Sequence, residues 1–302
     1  EDRLILLFDG VNEMPADDYV ERLDQLVHFT HRQYPRNKAI YTCRTLHYTS
    51  QTEFETITIT DLDDDHILQF LEAYRGPDAA RAIFRELASG DRLMLRLCRN
   101  PFMLRMLACR APHRDCVPQN RSELFEDFVL DRLDIAADAE ASRSDTVVPF
   151  LRELAFAMNE AGLFAGSVSQ EWMRQRVTAD WTHDQMELAT AAQLTDRTAD
   201  GRVRFCHQIL QEYFAASEIV ERFENGEDVD GFLGNPLWEE TVILAAGLQD
   251  RPEPFLRRLW NPDNGSTQNV WLAAKAMGAS GQPVTPEYRK DILDQLAKHL
   301  LL

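Results

Sequence analysis

The sequence predicts an α/β segment followed by an all-α chain, and three observations carry that expectation. A continuous apolar run, Leu4-Ile5-Leu6-Leu7-Phe8, ends at Asp9-Gly10, as does a strand buried on both faces of a parallel sheet. A second run, Lys38-Ala39-Ile40-Tyr41-Thr42, follows a stretch in which Tyr19, Leu23, Leu26, Val27 and Thr30 recur at helical spacing. From Asp64 onward the helical period repeats in one segment after another.

The first two observations make a βαβ unit, to which Thr56 to Thr60 adds a third short strand. Asp9 and Arg44 then fall just past the C-terminal ends of strands, where open α/β sheets bind ligands. Helices follow through Ile67, Leu68, Leu71 and Tyr74, through Ala79, Ile83 and Leu87, and through Leu93, Leu97, Phe102, Leu104 and Leu107. Gly76-Pro77 and Asn100-Pro101 punctuate them, each placing Pro near a helix start. Ser122 reads as the N-cap of a helix through Phe125, Phe128, Val129 and Leu133. The polar, small-residue stretch Ala136 to Asp145 reads as a linker.

After it come helices through Phe150, Leu151, Leu154 and Met158, from Ser169 and from Asp184. The turn Asp200-Gly201 then precedes Val203-Arg204-Phe205-Cys206. Three short helices and a β-hairpin are the order of a winged helix. A helix carrying Ile209, Leu210, Tyr213, Phe214, Ile219 and Val220 comes next. Leu237 to Leu248, Glu253 to Trp260, Gln268 to Met277 and Pro286 to Leu301 then read as paired helices at the start of an α-solenoid. Trp172, Trp181, Trp238, Trp260 and Trp271 are scattered and read as core. Gln211, Glu212, Tyr213 and Phe214 read as helix surface and core.

Composition bounds the function. At 302 residues, and about 150 per domain, the chain holds two domains or one with an extension. Hydrophobic residues at 44% and charged residues at 27%, with 13 Gly and 13 Pro, exclude disordered and fibrous classes. With 32 basic against 50 acidic residues the formal charge is -18, which argues against global attraction to nucleic acid or anionic lipid. Five Cys without a C-x-x-C pair spell neither a disulfide framework nor a metal ribbon, so a reducing, cytoplasmic setting is expected. No stretch approaches the roughly 20 apolar residues that span a bilayer, so no membrane partner is expected. Strand-like sequence begins almost at Glu1, which reads as a piece of a longer protein.

Asp9, Gly10, Asn12 and Glu13 form the first chemical constellation. A strand-end carboxylate can hold Mg²⁺ beside nucleotide phosphates, and a second acid can orient or deprotonate the attacking water. The same residues also suit a strand-terminating turn with solvated acids. Thr42-Cys43-Arg44 places a guanidinium on the same sheet edge, able to reach a terminal phosphate or simply to pair with a surface acid.

Leu4 to Glu13 (LILLFDGVNE) resembles the Walker B segment of NACHT domains, members of the signal-transducing NTPases with numerous domains. Tyr41-Thr42-Cys43-Arg44 is similar to their sensor 1, and Arg99-Asn100-Pro101-Phe102-Met103-Leu104 to the Asn-Pro motif of their helical domain. Phe205 to Ala216 (FCHQILQEYFAA) resembles the end of their winged-helix region. The likeness covers roughly residues 1 to 222 and implies half of a P-loop sheet (1–61), a helical domain (62–135) and a winged helix (146–222); the helical patterns of 231–302 add a repeat-like extension, as such proteins often carry.

The resemblance implies roles. Asp9 is the Mg²⁺-associated acid and Glu13 the acid that positions or activates water. Asn12 stands where the family often has a second acid; it can hydrogen-bond water but cannot accept its proton. Arg44 is the sensor, Pro101 borders the base, and His207 touches a phosphate of bound ADP. Asn100-Pro101 equally suits helix capping, and His207 equally suits a packed or capping role.

No Gly-x-x-x-x-Gly-Lys-Ser/Thr loop occurs in the 302 residues. In the family it lies upstream of Walker B, so half the nucleotide site is expected before Glu1, and this chain alone is expected to be inactive. The implied function is an ATP-dependent switch, less readily a GTP-dependent one, that self-associates on activation. Antiviral defence or regulated signalling would be its use, with a protein or ligand trigger at the C-terminal helices. The alternative is a non-catalytic scaffold binding a protein partner through those helices. DNA binding by the hairpin region is disfavoured, because Arg174, Arg176, Arg197, Arg202 and Arg204 are matched by comparable acids.

Overall fold

The computed structural model describes residues 4–11, 19–43, 55–89, 93–110, 117–137, 144–164, 166–178, 181–262 and 269–300. It is mainly helical with two small sheets, and it divides into two compact units, Glu1–Thr60 and Asp61–Leu302.

In the first unit, β1 (Ile5–Phe8), α1 (Tyr19–His28) and β2 (Lys38–Tyr41) follow one another. The strands pair in parallel, Ile5 opposite Lys38 and Phe8 opposite Tyr41, as a helical crossover requires. A π-helical turn, Phe29–Gln33, extends α1. Within it the Thr30 hydroxyl donates to the carbonyls of Leu26 (3.0 Å) and Val27 (3.2 Å) and also meets the Tyr41 hydroxyl.

Two expectations for this unit are corrected. Ile5 and Leu7 are 64% and 72% exposed, so β1 is not buried on both faces; the two-stranded sheet is covered on one face only. Thr56 to Thr60 forms no strand, and Ile57 and Ile59 are 87% and 93% exposed. Alternating Thr and Ile suit a pleated surface, but suitability creates no partner edge.

The second unit opens with α2 (Asp64–Arg75), α3 (Pro77–Ser89), α4 (Leu93–Leu97), α5 (Pro101–Ala108) and α6 (Arg121–Ala136). Three helices, α7 (Ser144–Glu160), α8 (Gln170–Arg176) and α9 (His183–Ala191), then precede an antiparallel hairpin of β3 (Thr195–Arg197) and β4 (Val203–Phe205). Gly201 turns the hairpin at φ +78°, where a Cβ would be strained, and Val168 adds a bridge to Val203. The long α10 (Gln208–Glu224) packs along α7. Beyond it lie α11 (Asp230–Leu233), α12 (Glu239–Gly247), α13 (Glu253–Leu259), α14 (Val270–Ser280) and α15 (Pro286–Leu300), with α14 packed against α12, α13 and α15. One apolar cluster runs from Ile67 to Ile292 through this unit.

Among the described residues, side-chain caps fix five of the α-helix starts. Asp63, Asn100, Ser169 and Thr182 each accept a first-turn amide, and Thr182 with Gln185 completes a capping box that starts α9 at His183, one residue before the expected Asp184. Ser122 is not the cap of α6. Asn120 takes that role, accepting from the Glu123 amide at 2.9 Å, while the Ser122 hydroxyl turns to the Leu244 carbonyl of α12. Trp238 and Trp260 are buried as expected, but Trp271 is 49% exposed. Gln211 and Glu212 lie in the interior rather than at the surface, because α10 is enclosed by α7 and α12 along this stretch. The Gln211 amide donates to Asn159 (2.7 Å) and to the Leu163 carbonyl (3.0 Å).

Candidate functional site

In the first unit the expected residues Asn12, Glu13 and Arg44 lie outside the described residues. Asp9 lies where the parallel strands end. Its carboxylate accepts from the Thr42 hydroxyl at 2.5 Å, and the same hydroxyl accepts from the Gly10 amide at 2.8 Å. Gly10 turns at φ +66°, a conformation glycine adopts without cost, and Val11 N then donates to Thr42 O at 3.0 Å. Thr42 therefore ties the ends of β1 and β2 together and fixes the Asp9 side chain. Its hydroxyl was not separable from its neighbours in sequence, since only register places it beside Asp9.

A carboxylate next to a hydroxyl is a hard oxygen pair, and one or two carboxylates with phosphate oxygens are what Mg²⁺ commonly takes. The donor chemistry of Asp9 and Thr42 fits that ion. Among the described residues no group of three or more His, Cys, Asp or Glu gathers into a metal cage.

In the second unit, α5 and α10 begin close together. Asn100 has extended backbone (φ -81°, ψ 124°), as a residue before proline prefers, and its side chain accepts from Phe102 N (2.9 Å) and Met103 N (3.4 Å). Pro101 occupies the first helical position, where its missing amide costs no hydrogen bond. Phe102 follows, and its ring centroid lies 4.2 Å from that of His207 at 57°. The structure thus joins the Asn100-Pro101 segment to His207 through one residue.

His207 is the N-cap residue of α10 but makes no side-chain capping bond. Leu210 N and Gln211 N donate to the His207 carbonyl (3.0 and 3.4 Å), and the positive end of the dipole of this 17-residue helix lies at His207. Burial holds the imidazole below its ordinary pKa, and the nearby Arg105 guanidinium adds to the effect. An anion placed here would meet the positive end of the helix dipole, an imidazole and a guanidinium. It would draw a proton onto His207, opposing the two influences that keep the ring neutral.

Cys98, by contrast, is fully enclosed, and burial pushes its thiol up to about 12, which removes it from nucleophilic chemistry. Among the described residues no helix is long and apolar enough to cross a membrane.

Together these features define a class by architecture: a mainly helical chain with a small parallel sheet and a side-chain pair joining two helix starts. No protein-family model matches the chain, and no curated protein matches it.

Proposed function

We propose that this chain is part of a NACHT-type, ATP-dependent molecular switch. The observation that carries the reading is the Phe102–His207 ring contact, because it unites two motifs that the sequence places about a hundred residues apart. In the proposed protein, a glycine-rich loop upstream of Glu1 completes the phosphate site. Asp9 holds Mg²⁺, Glu13 positions or activates water, Asn12 hydrogen-bonds it, and Arg44 senses the terminal phosphate. Pro101 borders the base. His207, at the amino end of α10, holds a phosphate of ADP and keeps the hairpin segment, acting as a winged helix, in the resting arrangement.

Exchange of ADP for ATP favours a second arrangement in which that contact is lost, and differential affinity for the two states drives the change. Self-association follows, and an upstream effector is activated by proximity. Antiviral defence or regulated signalling is the proposed use. Mg²⁺ supplies charge neutralisation at the phosphates when bound; the chain's own residues supply orientation and sensing.

The test uses the protein extended upstream through its glycine-rich loop. His207→Ala should release ADP faster and shift the protein from monomer to oligomer in light scattering. Unchanged ADP retention together with an unchanged monomer overturns the switch. In that event the exposed Trp271 and Leu293 on α14 and α15 favour the scaffold reading, in which the C-terminal helices bind a protein partner.

A further inference from the structure

The start of α6 reaches backbone carbonyls more than a hundred residues away. While Asn120 Oδ1 caps α6, Asn120 Nδ2 donates to the Gly247 carbonyl (3.1 Å) at the end of α12 and to the Ser280 carbonyl (2.7 Å) at the end of α14. The Ser122 hydroxyl donates to the Leu244 carbonyl at 2.8 Å. Both residues are 2% exposed. Arg121 and Glu240 pair at 2.7 Å beside them. The carbonyls of Gly247 and Ser280 stand at helix ends, where intrahelical donors run out, and Asn120 supplies a donor to each; the Leu244 carbonyl already accepts from Leu248 N (3.1 Å) and takes the Ser122 hydroxyl as a second donor.

The fit is close. A Cβ built on Gly247 would overlap the Ser122 hydroxyl, and one on Gly281 would lie 3.2 Å from the Gln119 carbonyl oxygen. Because Asn120 and Ser122 are buried, a small displacement of α12 takes one acceptor from the Asn120 amide and the acceptor of the Ser122 hydroxyl with no water to replace them, and a displacement of α14 takes the other amide acceptor. Such a joint has a closed state and an open state with little between.

The joint also closes a ring of elements. Helix α6 packs on α5, α5 carries Phe102, Phe102 meets His207 at the start of α10, and α10 packs on α12. We propose that the Asn120–Ser122 clasp is the joint through which displacement of the C-terminal helices α12 and α14 reaches α5 and its contact with His207. The inference stands on this geometry whether or not a nucleotide is bound.

Asn120→Asp separates the two jobs of the residue. Aspartate keeps the acceptor that caps α6, loses both donors, and sets a carboxylate oxygen against two carbonyls. Hydrogen–deuterium exchange of the 302-residue chain should then show amides of α12, α14 and α5 exchanging at least tenfold faster, with α9 and the β3–β4 hairpin unchanged. Gly247→Ala wedges the same joint from the other side and should give the same pattern, although alanine favours a helix over glycine. It also serves if Asn120→Asp fails to fold. Acceleration confined to α12 and α14 with α5 unchanged, uniform acceleration through Asp61–Leu302, or no change would each overturn the proposal.

Discussion

His207 begins a helix without capping it, and its ring leans on Phe102 instead. This arrangement sets the sign of its pH dependence. Burial first and the Arg105 charge second hold its pKa below the ordinary value of 6.5, so the unfolded chain takes up the proton more readily than the folded one. The stability contributed by the neutral ring is present above the ordinary value and is lost as pH falls through 6.5 towards the folded pKa. Arg105→Ala should therefore move the His207 titration upward in imidazole NMR, toward its ordinary value. A titration that stays where it was removes Arg105 as a cause. His207 and Asn100-Pro101 were singled out in the sequence, but that Phe102 brings them together was not legible there. Arg105 was not, since an exposed arginine one turn beyond Phe102 is marked by nothing but the approach of two helices. Thr42 is the same case in the first unit, where parallel register brings its hydroxyl to Asp9.

At the scale of elements, caps do the local specification. Asn100 satisfies two orphan amides of α5, and Pro101 presets the first helical residue. Asn100→Ala should cost about 1 kcal/mol of unfolding free energy in urea, in line with other N-cap deletions. A loss under a few tenths would mean that tertiary packing alone fixes the start of α5. Helices of the second unit were readable from periodicity, because each presents an apolar stripe to one core. The cap of α6 was misassigned because Asn120 and Ser122 are both good capping residues. What separates them is α12, which draws the Ser122 hydroxyl away. The missing third strand fails for a related reason: Thr56 to Thr60 has strand chemistry, but pairing is decided by neighbours that local sequence does not contain.

At the scale of the molecule, burial is divided unevenly between the two units. The continuous apolar cluster begins at Ile67 and lies wholly in Asp61–Leu302, whereas the described residues of the first unit bury only Val11 and Thr30. Exposed Ile5, Leu7 and Ile40 leave the small sheet with little apolar area removed from water, and a two-stranded pair is marginal without further cover. The second unit, by contrast, adds buried polar ties across long sequence separations, including Asn159 to Gln211 and Asn120 to Ser280. Stability should therefore reside almost entirely in that unit. A fragment spanning residues 61–302 should keep its helical circular dichroism and melt in one transition within a few degrees of the full chain. A fragment of residues 1–60 should show no cooperative melting, because conformational entropy of roughly 1–2 kcal/mol per ordered residue exceeds what so few buried side chains return. If the 61–302 fragment instead melts far below the full chain, the first unit contributes stability that its own burial does not account for. A cooperative transition in the 1–60 fragment would show that the parallel pair and α1 suffice as a core.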